Sequence, residues 1–150
     1  MGRRGQGRSA QKVRPSIQST ASMKLLLDTV TFLDAVLDPD SLSPQVKRLL
    51  LNPDSERYFS IVSSWEIAIK YSLGKLVLPE VPERFIPQHR DKLAADVLAV
   101  DEESVLHVTR LPHLHRDPFD RLLICQAIVH GMLFVTPDPR IAKYPVRTIW

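Results

Sequence analysis

Cysteine is nearly absent. The single Cys125 excludes an internal disulfide, suits a reducing cytosol, and reads as a small buried hydrophobe within an apolar stretch. Glycine is scarce as well, and five glycines in 150 residues leave no glycine-rich phosphate loop, which argues against a small-nucleotide-binding α/β domain. No apolar run approaches the roughly 18 residues of a membrane-spanning helix. Histidine and cysteine nowhere cluster at zinc-ligand spacing.

The first 22 residues contain no acid. They hold Arg3, Arg4, Arg8, Lys12 and Arg14 among Gly, Ser and Gln, and account for all of the +3 net charge. Without those five, residues 23–150 carry fifteen basic against seventeen acidic side chains, a net of −2. Residues 1–22 are therefore expected to be a disordered basic extension, able to touch RNA electrostatically, with one domain over 23–150. Lacking an apolar core, the extension is not a secretory signal.

What is present is an alternation of short apolar runs and amphipathic segments. Met23–Leu27, Tyr58–Val62, Val97–Val100, Met132–Thr136 and Val146–Ile149 read as five strands. Helices are expected over Thr31–Leu37, from Pro44 behind a Ser43 cap to about Leu51, from a Ser63–Glu66 capping box to Leu73, and over Glu102–Arg110. Leu78–Ala95 reads as a helical pair split at Pro87. The longest segment, 118–130, is apolar on all sides and so buried, with Asp117 as its cap, Pro118 at its first position and Gly131 as its stop. Strands alternating with helices imply a parallel sheet covered on both faces, with ligands beyond the carboxyl ends of its strands.

Four carboxylates have that address. Asp28 follows the first strand, Glu66 the second and Asp138 the fourth, while Asp120 enters on the buried helix. Each alone has a local role open to it: Asp28 as a cap, Glu66 in the capping box or paired with Lys70, Asp120 at a helix N-terminus, Asp138 in a turn. Converging on one edge, they would repel each other unless a cation intervened. Mg²⁺, or Mn²⁺ in its place, suits such oxygen ligands, and phosphodiester hydrolysis is the leading chemistry for an ion so held.

Lys24-Leu25-Leu26-Leu27-Asp28-Thr29, Ser64-Trp65-Glu66-Ile67, Arg116-Asp117-Pro118-Phe119-Asp120-Arg121 and Val135-Thr136-Pro137-Asp138 follow one another in this order. Over residues 23–150 the set resembles the PIN-domain ribonucleases, and within them the VapC-type toxins. The resemblance implies a three-layer α/β/α fold and a Mg²⁺-dependent endoribonuclease. It further implies RNA as substrate, a VapB-like antitoxin partner and a homodimer. It makes Asp28, Glu66, Asp120 and Asp138 the catalytic and metal-binding quartet, with Thr136 and Asp117 in support. Val30 departs from the pattern, because relatives often carry His or Asn two residues after the first acid. A catalytically silent RNA- or protein-binding module is the alternative.

Arg110, His113, His115, Arg116 and Arg121 could form a rim for RNA phosphates, although Arg121 could equally pair with Asp117 along the helix. Trp65 is expected to pack rather than stack on bases. Tyr144 and Trp150 receive no role.

Overall fold

Leu25, Leu26 and Leu27 are fully buried, yet they belong to two different cores. Strand geometry sends Leu26 to one face of a sheet and its neighbours to the other. The computed structural model describes residues 23–150, so the expected extension over 1–22 lies outside the described residues.

Five strands, β1 (Lys24–Leu27), β2 (Glu56–Ser60), β3 (Ala95–Leu98), β4 (Leu133–Val135) and β5 (Thr148–Ile149), form one sheet in the order β3-β2-β1-β4-β5. Every pairing is parallel, as the alternating pattern predicts. Six helices cover it: α1 (Thr29–Leu37), α2 (Pro44–Leu51), α3 (Ile61–Ser72), α4 (Pro82–Lys92), α5 (Glu102–His107) and α6 (Pro118–Val129). The result is the expected three-layer α/β/α arrangement. Leu26, Phe134 and Tyr58 face Leu123 and Ile124 of α6, while Leu25, Leu27 and Val135 face Leu42 and Val46 around α2. A third cluster joins Phe32 of α1 to Phe59 of β2 and Phe85 of α4, with ring centroids 4.1 and 6.4 Å from Phe32. Among the described residues no helix is long and apolar enough to cross a membrane.

The strand order reverses between β1 and β4, and open parallel sheets bind ligands at such a point. The two strands stay coupled there: Asp28 N donates to the Val135 carbonyl (3.1 Å), as does the Thr31 hydroxyl (2.7 Å). Side chains leaving β1 and β4 are thereby held side by side at the carboxyl edge.

Several boundaries differ from the sequence reading. The α3 cap is Ser60, whose hydroxyl accepts from Val62 N, so the Ser63–Glu66 capping box does not form and Glu66 lies in the second turn. Strands β2 and β3 each start two residues earlier than expected, because Ile61 and Val62 already belong to α3 and the exposed Asp96 sits inside an edge strand. The helical pair over 78–95 is one helix, α4, running through Pro87. Pro87 faces solvent, where water can satisfy the Glu83 carbonyl that the ring leaves without a donor. At its end Ala94 adopts φ 50° without a glycine to mark the stop.

Candidate metal centre

The mouth of α6 is built as its sequence dictates. Asp117 Oδ1 accepts from Phe119 N (2.8 Å) and Asp120 N (3.2 Å), Pro118 fills the first position, and Gly131 takes the left-handed conformation (φ 63°) after the last turn. Asp117 and Asp120 together line a cleft. Replacing Asp117 by Ala should cost about 0.5–2 kcal/mol in a thermal or denaturant melt, and by Asn much less, since an amide oxygen caps equally well.

The cleft, about 420 Å³, is lined by Asp28, Glu66, Asp117, Asp120 and Asp138, with Thr29, Val30, Lys70, Lys75 and Arg140 among the other walls. The four sequence-predicted carboxylates therefore line one cleft although they come from the end of β1, α3, α6 and the turn after β4; among the described residues only Asp120 and Asp138, joined by His115, offer three ligand atoms within 4.8 Å of one another. Val30, 41% exposed, offers this cleft a methyl surface and no polar contact.

Asp28 is buried at the end of β1. Its Oδ1 caps α1 by accepting from Thr29 N (2.7 Å), and its Oδ2 accepts from the buried Thr136 hydroxyl (2.7 Å). Neither partner carries charge, and burial pushes its pKa up to about 7 against the opposing hydrogen bonds, with Asp120 and Glu66 adding repulsion. Glu66 is also buried, but Lys70 one turn on pairs with its Oε2, and the Thr29 hydroxyl donates to its Oε1 (2.7 Å). Thr29 Oγ1 lies 2.9 Å from Ser63 Oγ as well, so the residue expected to cap α3 instead braces the acid. Lys70 is held above the ordinary lysine range by that contact.

Asp120 has its pKa raised by burial first, with Asp117 and Glu66 adding to it against a hydrogen bond from His115. His115 Nε2 lies 2.7 Å from its Oδ2. Asp138 goes the other way. Arg140, two residues on in the same turn, grips both carboxylate oxygens through Nε and Nη2 (2.8–3.2 Å) and lowers its pKa. Asp138 N also donates to Thr136 Oγ1 (3.2 Å), so Thr136 links the acids that follow β1 and β4.

The proposed phosphate rim divides. Arg116, Arg110 and His113 are exposed. Arg121 is not: it is 8% exposed, and Nη1 donates to the Pro112 carbonyl (2.8 Å) and the Tyr144 hydroxyl (3.3 Å). Its guanidinium is committed to the protein interior, and the pair with Asp117 does not form. His115 turns toward Asp120 rather than outward. Trp65 packs edge-on against Phe119 (4.9 Å) while remaining 58% exposed. Sequence reasoning missed Arg140 and Tyr144. The spacing Asp138-Pro139-Arg140 was a usable signal for the first; nothing local marks the second.

The fit of a cation follows from the donors. Asp28 is buried with no basic side chain in contact among the described residues, and two of the acids are held above the ordinary carboxylate range by burial and mutual repulsion. Hard carboxylate and hydroxyl oxygens around such a deficit suit a divalent ion of the Mg²⁺ or Mn²⁺ type.

Comparison with known proteins agrees with this architecture. The family model of the PIN domain matches residues 25–146. Ribonuclease VapC16 of Mycobacterium tuberculosis is 32% identical over 74 residues, which cover 49% of this chain and 48% of that protein. The match thus spans about half the length of this relative. VapBC-1 from nontypeable Haemophilus influenzae superposes with a TM-score of 0.56 at 19% identity, covering 85% of this chain and 97% of that one. DNA-bound VapBC from Salmonella typhimurium gives 0.61 at 19% identity with the same coverage. At such identity the structural likeness speaks for the fold.

Proposed function

The chain belongs to the PIN-domain family, and from that premise we propose that it is a divalent-metal-dependent endoribonuclease. In this reading it is the toxin of a VapBC-type pair, restrained by a cognate VapB-like antitoxin, homodimeric and at work in the cytoplasm. One observation carries the proposal. Four acids from separate segments line one cleft, and Asp28, as buried as Glu66, lacks a basic partner among the described residues. The relative named a ribonuclease and the toxin–antitoxin assemblies among the structural neighbours support it.

Asp28, Glu66, Asp120 and Asp138 would hold Mg²⁺, with Mn²⁺ as a substitute. When bound, the ion would lower the pKa of a coordinated water and stabilise charge at the scissile phosphate. The chain's own residues do the rest. Thr136 fixes the Asp28 carboxylate by donating to Oδ2, and Thr29 together with Lys70 fixes Glu66. Lys70 and Arg140 stand at the cleft wall, with side chains 47% and 62% exposed, where a phosphodiester backbone would meet cationic groups. Arg116 extends that positive rim from the loop before α6.

Purified protein should cut RNA internally in Mg²⁺ or Mn²⁺ and not in EDTA, and its expression should arrest growth until the antitoxin is co-expressed. Equal cleavage in EDTA would refute metal dependence. Binding of RNA without any cutting under all three conditions would favour the silent module, which Val30 leaves as the second reading.

A further inference from the structure

His115 stands outside the acidic quartet, yet its imidazole is aimed into it. One ring nitrogen and one carboxylate oxygen each of Asp120 and Asp138 lie within 4.8 Å of one another, and Nε2 is the nitrogen 2.7 Å from Asp120 Oδ2. Ligands of an octahedral ion with bonds of about 2.1 Å are separated by roughly 3 Å when adjacent and roughly 4 Å when opposite. The 2.7 Å between His115 Nε2 and Asp120 Oδ2 is close to the adjacent spacing, and the 4.8 Å bound on the trio is within an ångström of the opposite one, a closure that side-chain rotation supplies when an ion binds.

The ring is also held in place. His115 N donates to the Tyr144 hydroxyl (2.7 Å), and the same hydroxyl takes a bond from the buried Arg121 Nη1 (3.3 Å). Tyr144 is 3% exposed, and the imidazole itself only 13%. A surface histidine of a loop would have neither the tether nor the burial, and pre-set ligands are what a metal site needs.

We propose that His115 is a nitrogen ligand of the ion held by Asp120 and Asp138, and that this donor biases the site toward Mn²⁺ over Mg²⁺. The proposal rests on the metal-dependent reading above and refines its ion. Mg²⁺ takes oxygen ligands and keeps its waters, whereas imidazole nitrogen binds first-row transition ions more strongly. To ligate, Nε2 must offer its lone pair, which puts the ring proton on Nδ1. The hydrogen bond now made with Asp120 is then exchanged for a shared bond to the ion.

Mn²⁺ added to the full chain and examined by pulsed electron paramagnetic resonance tests this directly. Wild type should show hyperfine coupling to an imidazole ¹⁴N, and His115→Gln, which keeps a donor for Asp120 but has no imidazole, should lose it. The Mn²⁺ Kd of that variant should rise at least the roughly 10- to 100-fold that loss of even an outer partner costs, with a much smaller change for competing Mg²⁺. Absence of ¹⁴N coupling in wild type overturns the proposal without recourse to any variant. Equal weakening of both ions in His115→Gln also overturns it and makes His115 a positioning residue for Asp120. If Mn²⁺ binds Asp28→Asn as well as wild type, the acidic metal centre itself fails, and this inference with it.

Discussion

Asp28→Asn should melt at a higher temperature than wild type in EDTA near pH 7.5, while losing RNA cleavage altogether. The wild-type carboxyl has a folded pKa of about 7 against an ordinary value of 3.8, because burial disfavours its charge. Folded and unfolded chains both keep the proton well below pH 4, so no penalty arises there. Between pH 4 and about 7 the unfolded chain releases it and the folded chain holds it, so stability drains away as pH rises, levelling off above 7. Three pKa units correspond to about 4 kcal/mol as an upper bound, and relaxation of the site reduces this to about 1–3 kcal/mol. At a few degrees per kcal/mol for a chain of this size, the difference is readily measured. Asn keeps the oxygen that caps α1, and its amide can donate to Thr136 Oγ1, which then turns its own proton elsewhere.

Adding Mg²⁺ or Mn²⁺ should reverse the order. An ion at a hundred times its Kd stabilises the folded state by about 2.7 kcal/mol, and only wild type has the site to gain it. Since the ion competes with the proton on Asp28, wild-type affinity should climb with pH up to about 7 and then flatten. If Asp28→Asn is less stable than wild type in EDTA and still cuts RNA, the residue is a cap of α1 and the cleft is not the active site.

How far such a site can be read from sequence depends on whether the determining contact is local. Ser43, Asp101 and Asp117 each cap the helix that follows by bonding a backbone N–H within three residues. The sequence carries the Ser43 and Asp117 signals intact, and the short continuous apolar run and the all-round apolar pattern likewise reveal β1 and α6. The capping box was misassigned because Ser60 and Ser63 both precede an apolar run, and only the hydrogen bonds show that Ser60 caps while Ser63 braces Thr29. The meeting of Asp28 with Thr136, and of Glu66 with Thr29, joins residues 108 and 37 positions apart. What the sequence supplied there was only the strand-end address of the acids. The neutralising Arg140 and the Tyr144 tether depend on turns after β4 whose course no spacing rule describes.

Arg121 is the clearest case, since one side chain has three readings, and substitution separates them. From the sequence it could bind phosphate or pair with Asp117, and the fold adds a third role, facing inward. In the fold its guanidinium satisfies the Pro112 carbonyl and bonds the Tyr144 hydroxyl, with the Val108 carbonyl at 3.5 Å. Arg121→Met fills similar volume but takes the donor from the Pro112 carbonyl and one of two donors from the buried Tyr144 hydroxyl, and should cost about 1–3 kcal/mol in a denaturant melt. Arg121→Lys, with one cationic head in place of a fork, should recover part of this, and Tyr144→Phe should cost less than either because the Pro112 contact survives. At temperatures where these variants remain folded, RNA affinity and its dependence on salt should stay near wild type, because no phosphate partner has been removed. The opposite pattern, an unchanged melt with the salt slope reduced by about one, would mean that Arg121 swings out to the RNA. It would also cut the link from Arg121 through Tyr144 to His115, by which the loop ahead of α6 holds its imidazole against Asp120.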